Sequence, residues 1–193
     1  MKPAAEQNNM AQRTLQLESP SDKDKEEAIK SLVEQFYTPL CVYCVQFTDS
    51  LEVAEDIVQD LFLRLWEKNH LIMIKGSIKA YLFNAVRNMS IDYLRREHLL
   101  VPTDPEEVWY VTEDEVDEET LTQQRSRLHA YLQQLSPREY RVLTEVVINS
   151  KRYKEVATEL GISVNTVKTH LARALSFLRK QHLLQSLLLI TIH

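Results

Sequence analysis

Cys41-Val-Tyr-Cys44 comes nearest to reactive chemistry in this 193-residue chain, because two thiols spaced C-x-x-C serve metal binding or thiol–disulfide exchange. A structural zinc site wants a second such pair, and a redox motif wants a βαβ setting. Neither surrounds this one, so it reads as two small core residues, too few for a disulfide scaffold. The 6 histidines are scattered, with no H-E-x-x-H and no Ser/His/Asp context. With only 2 glycines, Gly-rich phosphate loops and strand-and-turn architectures are nearly excluded too. No catalytic residue, metal ligand or cofactor is assigned. The remaining chemistry is noncovalent recognition.

Three segments carry it. Tyr153-Lys-Glu-Val-Ala-Thr-Glu-Leu-Gly-Ile-Ser-Val-Asn-Thr-Val-Lys-Thr-His170 has the parts of a helix-turn-helix: a small residue at the crossing (Ala157), apolar anchors (Val156, Leu160, Ile162, Val167) and a turn residue tolerant of positive φ (Gly161). At 100° per residue, Val164, Val167, Leu171, Ala174, Leu175 and Leu178 share one side of the final helix. Asn165, Thr169, Ala172, Arg173 and Ser176 share the other, a small polar face of the kind that enters a major groove, flanked by Lys168, Arg173, Arg179 and Lys180 for phosphates. A helical hairpin with a solvated polar face is the plain alternative.

The second segment is a helix with the apolar stripe Ala54, Ile57, Val58, Leu61, Phe62 and Leu65 and the opposite face Glu52, Asp56, Gln59, Asp60 and Glu67. Leu63 projects from that acidic face, as an interface hot spot ringed by polar groups or as a singly exposed leucine. The third segment buries Ile78, Leu82, Ala85, Val86, Met89 and Tyr93 and turns Asn84, Arg87, Asn88, Ile91 and Arg95 outward. Such a ridge offers donors to phosphates and unpaired bases, with Tyr81 and Phe83 as stacking surfaces. A solvated amphipathic face explains the same spacing.

These segments require an all-α protein of two small helical domains joined by an acidic flexible linker. Residues 1–20 are polar and aperiodic and read as a disordered tail. Helices are expected over 26–37 and 39–47, separated or kinked at Thr38-Pro39, and from a capping box at Asp49 and Glu52 to about Lys68. After a loop at 69–76, Ser77 caps a helix to about His98. The stretch 101–120 is the linker, holding two prolines and, within 103–120, 9 acidic and no basic residues; Trp109 and Tyr110 within it have no assigned docking site. Helices then start near Leu121, at 137–148 behind a Ser136-Pro137 cap, at 153–160, and from Ser163 to about Gln181. The net charge of −5 argues against a nucleic-acid partner until it is divided: 121–193 carries 11 basic and 4 acidic residues. The domains are therefore 21–100 and 121–182, followed by an apolar tail at 183–193 too short to span a bilayer and left to pack on the second domain or to meet a partner. No secretory signal is visible, and a cytoplasmic protein is expected.

Taken together, Ala54-Glu-Asp-Ile-Val-Gln-Asp-Leu-Phe-Leu-Arg-Leu-Trp-Glu67, Ser77-Ile-Lys-Ala-Tyr-Leu-Phe-Asn-Ala-Val-Arg-Asn-Met-Ser-Ile-Asp-Tyr-Leu-Arg-Arg96, Leu135-Ser-Pro-Arg-Glu-Tyr-Arg-Val-Leu143 and the helix-turn-helix resemble, in order, the core-binding, promoter-melting and fourth-region segments of sigma-70 family sigma factors. The resemblance is to the extracytoplasmic-function (ECF) group, which keeps only the second and fourth regions, and it covers about residues 24–181. It implies an initiation factor without enzyme activity that binds core RNA polymerase and promoter DNA. By resemblance, Asp56, Gln59, Asp60 and Leu63 grip the clamp coiled coil of the largest polymerase subunit. Tyr81, Asn84, Arg87, Asn88 and Arg95 meet the minus-ten element, with loop 69–77 holding an extruded base. Tyr81 stands where many members have tryptophan. Ser163, Asn165, Thr166, Lys168, Thr169 and Arg173 meet the minus-thirty-five element. The linker would thread polymerase channels as a phosphate mimic, and a membrane-associated anti-sigma protein is an expected partner. The competing readings are a stand-alone helix-turn-helix regulator and a helical adaptor that binds only protein.

Overall fold

The computed structural model describes residues 22–67, 77–98 and 118–191. The expected tail 1–20, the loop 69–76, and the linker as far as residue 117 with Trp109 and Tyr110 lie outside them. The described residues are helical and contain no strand: α1 Asp22–Thr48, α2 Leu51–Glu67, α3 Ile78–Arg96, α4 Glu118–Leu132, α5 Pro137–Leu143 continued by a wider turn over Thr144–Ile148, α6 Tyr153–Leu160, α7 Val164–Lys180 and α8 Leu184–Thr191.

Of the two expected forms, two helices or one helix kinked at Thr38-Pro39, the chain takes the single helix. α1 runs unbroken through Pro39, although a proline inside a helix forfeits a hydrogen bond and costs about 3 kcal/mol. Burial outweighs that loss. Residues 39–45 are all buried, so α1 is covered on every side along this stretch, as only a central helix can be. α2 and α3 pack on one flank of α1, and α7, α8 and the wide turn pack on the other. Both thiols lie in this stretch. Cys44 Sγ is 3.1 Å from Ser90 Oγ of α3, and the Ser90 hydroxyl also donates to Val86 O at 2.8 Å. The cysteines are core residues, as their setting suggested.

The start of α2 corrects a second expectation. Ser50, not Asp49, is its cap, accepting from Val53 N at 3.3 Å, while Asp49 sits in the left-handed region (φ 52°) and turns the corner from α1. α3 begins where expected, with Ala80 N donating to Ser77 Oγ at 3.3 Å. Its buried face is rotated from the expected one. Phe83, Ser90 and Leu94 are buried with Ile78, Leu82 and Val86, whereas Ala85, Met89, Tyr93 and Ile91 are half-buried. Phe83 is therefore no stacking surface; its ring meets that of Tyr43 edge-on at 5.0 Å.

α4 begins at Glu118, three residues before the expected Leu121, so residues 118–120 belong to a helix and not to the linker. α5 opens on a reciprocal cap: Glu139 N donates to Ser136 Oγ at 3.3 Å and Ser136 N donates to Glu139 Oε2 at 3.1 Å. The Ser136 hydroxyl, donating to Glu139 Oε2 at 2.7 Å, and then the Ser136 N–H hold the Glu139 carboxyl below its ordinary pKa. At the end of the wide turn, Lys151 pairs with Glu145 at 2.9 Å and with Glu159 of α6 at 2.8 Å, which sets the approach of α6. α8 takes the first of the two roles expected for the tail, packing on the second module and reaching α1 as well. The apolar tail forms a helix whose Leu184, Leu187 and Leu188, with Leu183 before it, are buried against α1, α4, α7 and the wide turn.

Candidate nucleic-acid interface

Gly161 makes the turn between α6 and α7 with φ 64°, and Ile162 N donates back to Ala157 O at 3.0 Å, closing the end of α6. Ser163 then caps α7, its hydroxyl accepting from Thr166 N at 3.0 Å and lying 2.8 Å from Thr166 Oγ1. Val156, Ala157, Val167, Leu171, Ala174, Leu175 and Leu178 form the buried seam, while Val164, expected on that side, is exposed at the first turn. α7 thus presents Asn165, Thr169 and Arg173 on one exposed face with half-buried Lys168 beside them. Thr169 Oγ1 donates to Asn165 O at 2.9 Å, which leaves its hydroxyl oxygen as an outward acceptor.

That face does not look into open space. It forms one wall of a cleft of about 640 Å³ whose other wall holds Asp49, Ser50, Glu52 and Glu55 of the α1–α2 corner. Lys168 Nζ lies 2.6 Å from Glu55 Oε2 and 5.6 Å from the centre of the Tyr153 ring. Glu55 is only 4% exposed, and its other carboxylate oxygen has no hydrogen-bond partner. Burial, and then the charge of Glu55, raise the pKa of the Tyr153 hydroxyl far above its ordinary value. Sequence reading passed over Glu55, although a carboxylate in register with Leu51, Ala54 and Val58 on the buried side of α2 signals a partner arriving from elsewhere. Arg179 adds a second tie, donating through Nε to Gln46 O at 3.1 Å and facing Asp49 at 3.4 Å. Arg152 and Glu34 add a third at 3.2 Å.

The other faces are open. On α2, Asp56, Gln59 and Leu63 are exposed and Asp60 is half-buried, with Asp60 paired to Arg64 at 2.7 Å and Gln59 donating to Tyr37 OH at 3.3 Å. Leu63 is 60% exposed, and Trp66, which the sequence reading did not single out, is 50% exposed one turn along. On α3, Asn88 and Arg95 are exposed, and Tyr81, Asn84 and Arg87 are half-buried on the same ridge. A groove of about 630 Å³ joins the two helices, with Asp56, Asp60 and Arg64 on one side, Asp92, Arg95 and Arg96 on the other, and Ile57 and Met89 between. Among the described residues no cluster of His, Cys, Asp and Glu could hold a metal ion, and no helix is long and apolar enough to cross a membrane.

Residues 32–99 match the Sigma-70 region 2 family model and residues 125–178 match the Sigma-70, region 4 model. The chain is 30% identical over 159 residues to the ECF RNA polymerase sigma factor SigL of Mycobacterium tuberculosis, a stretch covering 78% of this chain and 86% of that protein. The chain belongs to the ECF sigma factors of the sigma-70 family. This sigma factor is also 25% identical over 166 residues to the ECF RNA polymerase sigma factor RpoE of Cereibacter sphaeroides, covering 84% of this chain and 90% of that one. To the RNA polymerase sigma factor YlaC of Bacillus subtilis it is 28% identical over 160 residues, covering 80% and 91%. Two family matches in this order make it an initiation factor for RNA polymerase, and a free-standing helix-turn-helix regulator is not favoured.

Proposed function

We propose that this sigma factor joins core RNA polymerase through α2 and directs it to promoters by reading two DNA elements with α3 and α7. Collinear region 2 and region 4 matches on one chain carry the proposal. The first domain is taken as 21–100, and the second, expected over 121–182, is taken to open with α4 at Glu118. Asp56, Gln59, Asp60 and Leu63 form the polymerase contact, an apolar anchor set among polar groups that stays accessible on the free chain. Tyr81, Asn84, Arg87, Asn88 and Arg95 handle the minus-ten element as it opens, supplying amide and guanidinium donors to single-stranded bases and phosphates. Ser163, Asn165, Thr166, Lys168, Thr169 and Arg173 meet the minus-thirty-five duplex. Asn165 and Arg173 read base edges, and Ser163 and Thr166 fix the helix start against the phosphates.

Strand separation draws on binding energy, with no catalytic chemistry of the chain's own. The working compartment is the cytoplasm, where promoter DNA resides, and a membrane-associated anti-sigma protein is the partner that would hold the factor inactive. Run-off transcription with core polymerase and the DNA upstream of the chain's own coding sequence tests the reading. Start-site-specific transcripts that require the chain are expected. Their absence, together with failure of the chain to co-elute with core enzyme, would overturn it.

A further inference from the structure

We propose that the cleft between the α1–α2 corner and α7 is a small-molecule site for a guanine nucleotide, whose base edge meets the carboxylates of α2 and whose phosphates meet the cations of α7. Binding at this cleft does not depend on the functional reading above.

Glu55 is the centre of the site. It lines a cleft of about 640 Å³ and is only 4% exposed. Its Oε2 takes Lys168 Nζ at 2.6 Å, while its Oε1 has no hydrogen-bond partner. Leaving a buried carboxylate oxygen without a donor is costly, and a ligand N–H entering the cleft removes that cost. Glu52 lies one turn away on α2 and is exposed, so two groups that only accept stand side by side on this wall. Asp49, at the same corner, is already committed to Arg179 at 3.4 Å.

The opposite wall has the other sign, with Lys168 and exposed Arg173 lining it. Val45, Leu51, Ala172 and Leu175 complete the lining as an apolar strip that suits the face of a ring. A ligand therefore needs a donor edge, a flat apolar face and an anion at the far end. Clefts of roughly 300–1,000 Å³ at domain boundaries are the usual setting for such molecules.

A guanine nucleotide has all three parts. Its Watson–Crick edge carries N1–H and the 2-amino group, two adjacent donors that match carboxylate oxygens. Adenine places a ring-nitrogen acceptor on that edge, which a carboxylate repels, so the site discriminates against it. A simple diamine or amino acid would satisfy the carboxylates but leave the apolar strip uncovered. Lys168, standing beside Glu55, and Arg173 meet the phosphates. Both cations are also assigned above to the minus-thirty-five duplex, so nucleotide and duplex exclude one another on α7, a consequence that does rest on that reading.

Isothermal titration calorimetry of the full-length chain with guanosine, inosine and adenosine diphosphates, without DNA or polymerase, tests the site. One guanosine diphosphate per chain is expected, bound at least about tenfold more tightly than adenosine diphosphate, the discrimination of one good pair of base-edge hydrogen bonds. Inosine diphosphate, which lacks the 2-amino group, should fall between them. Glu55→Gln should bring guanosine diphosphate down to the affinity of adenosine diphosphate, whereas Arg173→Ala should weaken both and keep their ratio. No binding of guanosine diphosphate by about 1 mM, equal affinities for the three nucleotides, or a folded Glu55→Gln with its preference intact would overturn the proposal. Should Glu55→Gln lose helix by circular dichroism, or lose both nucleotides together, the ligand series on the parent and Arg173→Ala decide. The expected order with weakened binding in Arg173→Ala upholds the site, and unchanged binding in Arg173→Ala sinks it. Failure of the functional reading looks different, because missing run-off transcripts leave these titrations untouched.

Discussion

Lys168 and Glu55 lie 113 positions apart in the chain and 2.6 Å apart in space, the ammonium half-exposed and the carboxylate buried. A pair of this kind is asymmetric. Removing the lysine strands a buried charge, whereas removing both charges leaves only a neutral contact.

A double-mutant cycle on the pair should show that asymmetry. Lys168→Met is expected to destabilise the chain by about 1–2 kcal/mol, below the 3–5 kcal/mol of a fully buried pair because solvent reaches Lys168. Adding Glu55→Gln should recover most of that loss. Urea unfolding measures it, and strictly additive effects would show that the two side chains are not coupled.

Gly161 offers a cleaner backbone test. A Cβ built there meets nothing within 4 Å, so Gly161→Ala adds no clash and only the left-handed φ of 64°. The expected loss is about 1 kcal/mol, with Gly161→Asn closer to the parent. A larger loss would mean that the turn has moved.

Leu63→Asp separates stability from binding. With the side chain 60% exposed, the unfolding free energy from urea titration should stay within about 0.5 kcal/mol of the parent. Affinity for core polymerase should fall at least about tenfold, as for a central interface anchor. Unchanged affinity in a pull-down titration removes Leu63 from the interface.

Stability should also decline in alkali. Burial pushes the Cys44 thiol up to about 11 and raises Cys41, Tyr37 and Tyr153 as well. Each of these groups is kept neutral by folding. Its contribution is whole below its unfolded pKa, near 9 for the thiols, and shrinks as pH climbs towards the folded value. Unfolding free energy should hold near pH 8 and drop between pH 9 and 11, while iodoacetamide labels neither cysteine of the native chain at pH 8. Rapid native labelling would show that α1 is not the closed centre of the fold.

What could be read without coordinates was what local spacing controls. Ser77, Ser136 and Ser163 cap the helices they were expected to cap, Gly161 makes the turn, and the exposed row Asp56, Gln59 and Leu63 follows from helical period alone. Errors came where tertiary contact overrules local preference. Pro39 left one helix or two open, because its helix propensity is poor, and cover on all sides decides for one. Phe83 looked available because α3 was read against a single partner, whereas its buried arc also takes in the Tyr43 side of α1. Glu55 escapes local reading for the same reason, since its partner Lys168 is supplied by the other half of the chain.

With glycine so scarce, four described corners are turned by L-residues at positive φ: Asp49, His98, Ser150 and His182. His182 is the corner between α7 and α8. Holding a histidine there strains the backbone by about 1–2 kcal/mol relative to its right-handed form, and the bend persists because the leucines of α8 are buried. The corner is held by side-chain burial where a glycine would have made it without strain, so trimming the leucines of α8 would remove what keeps the bend.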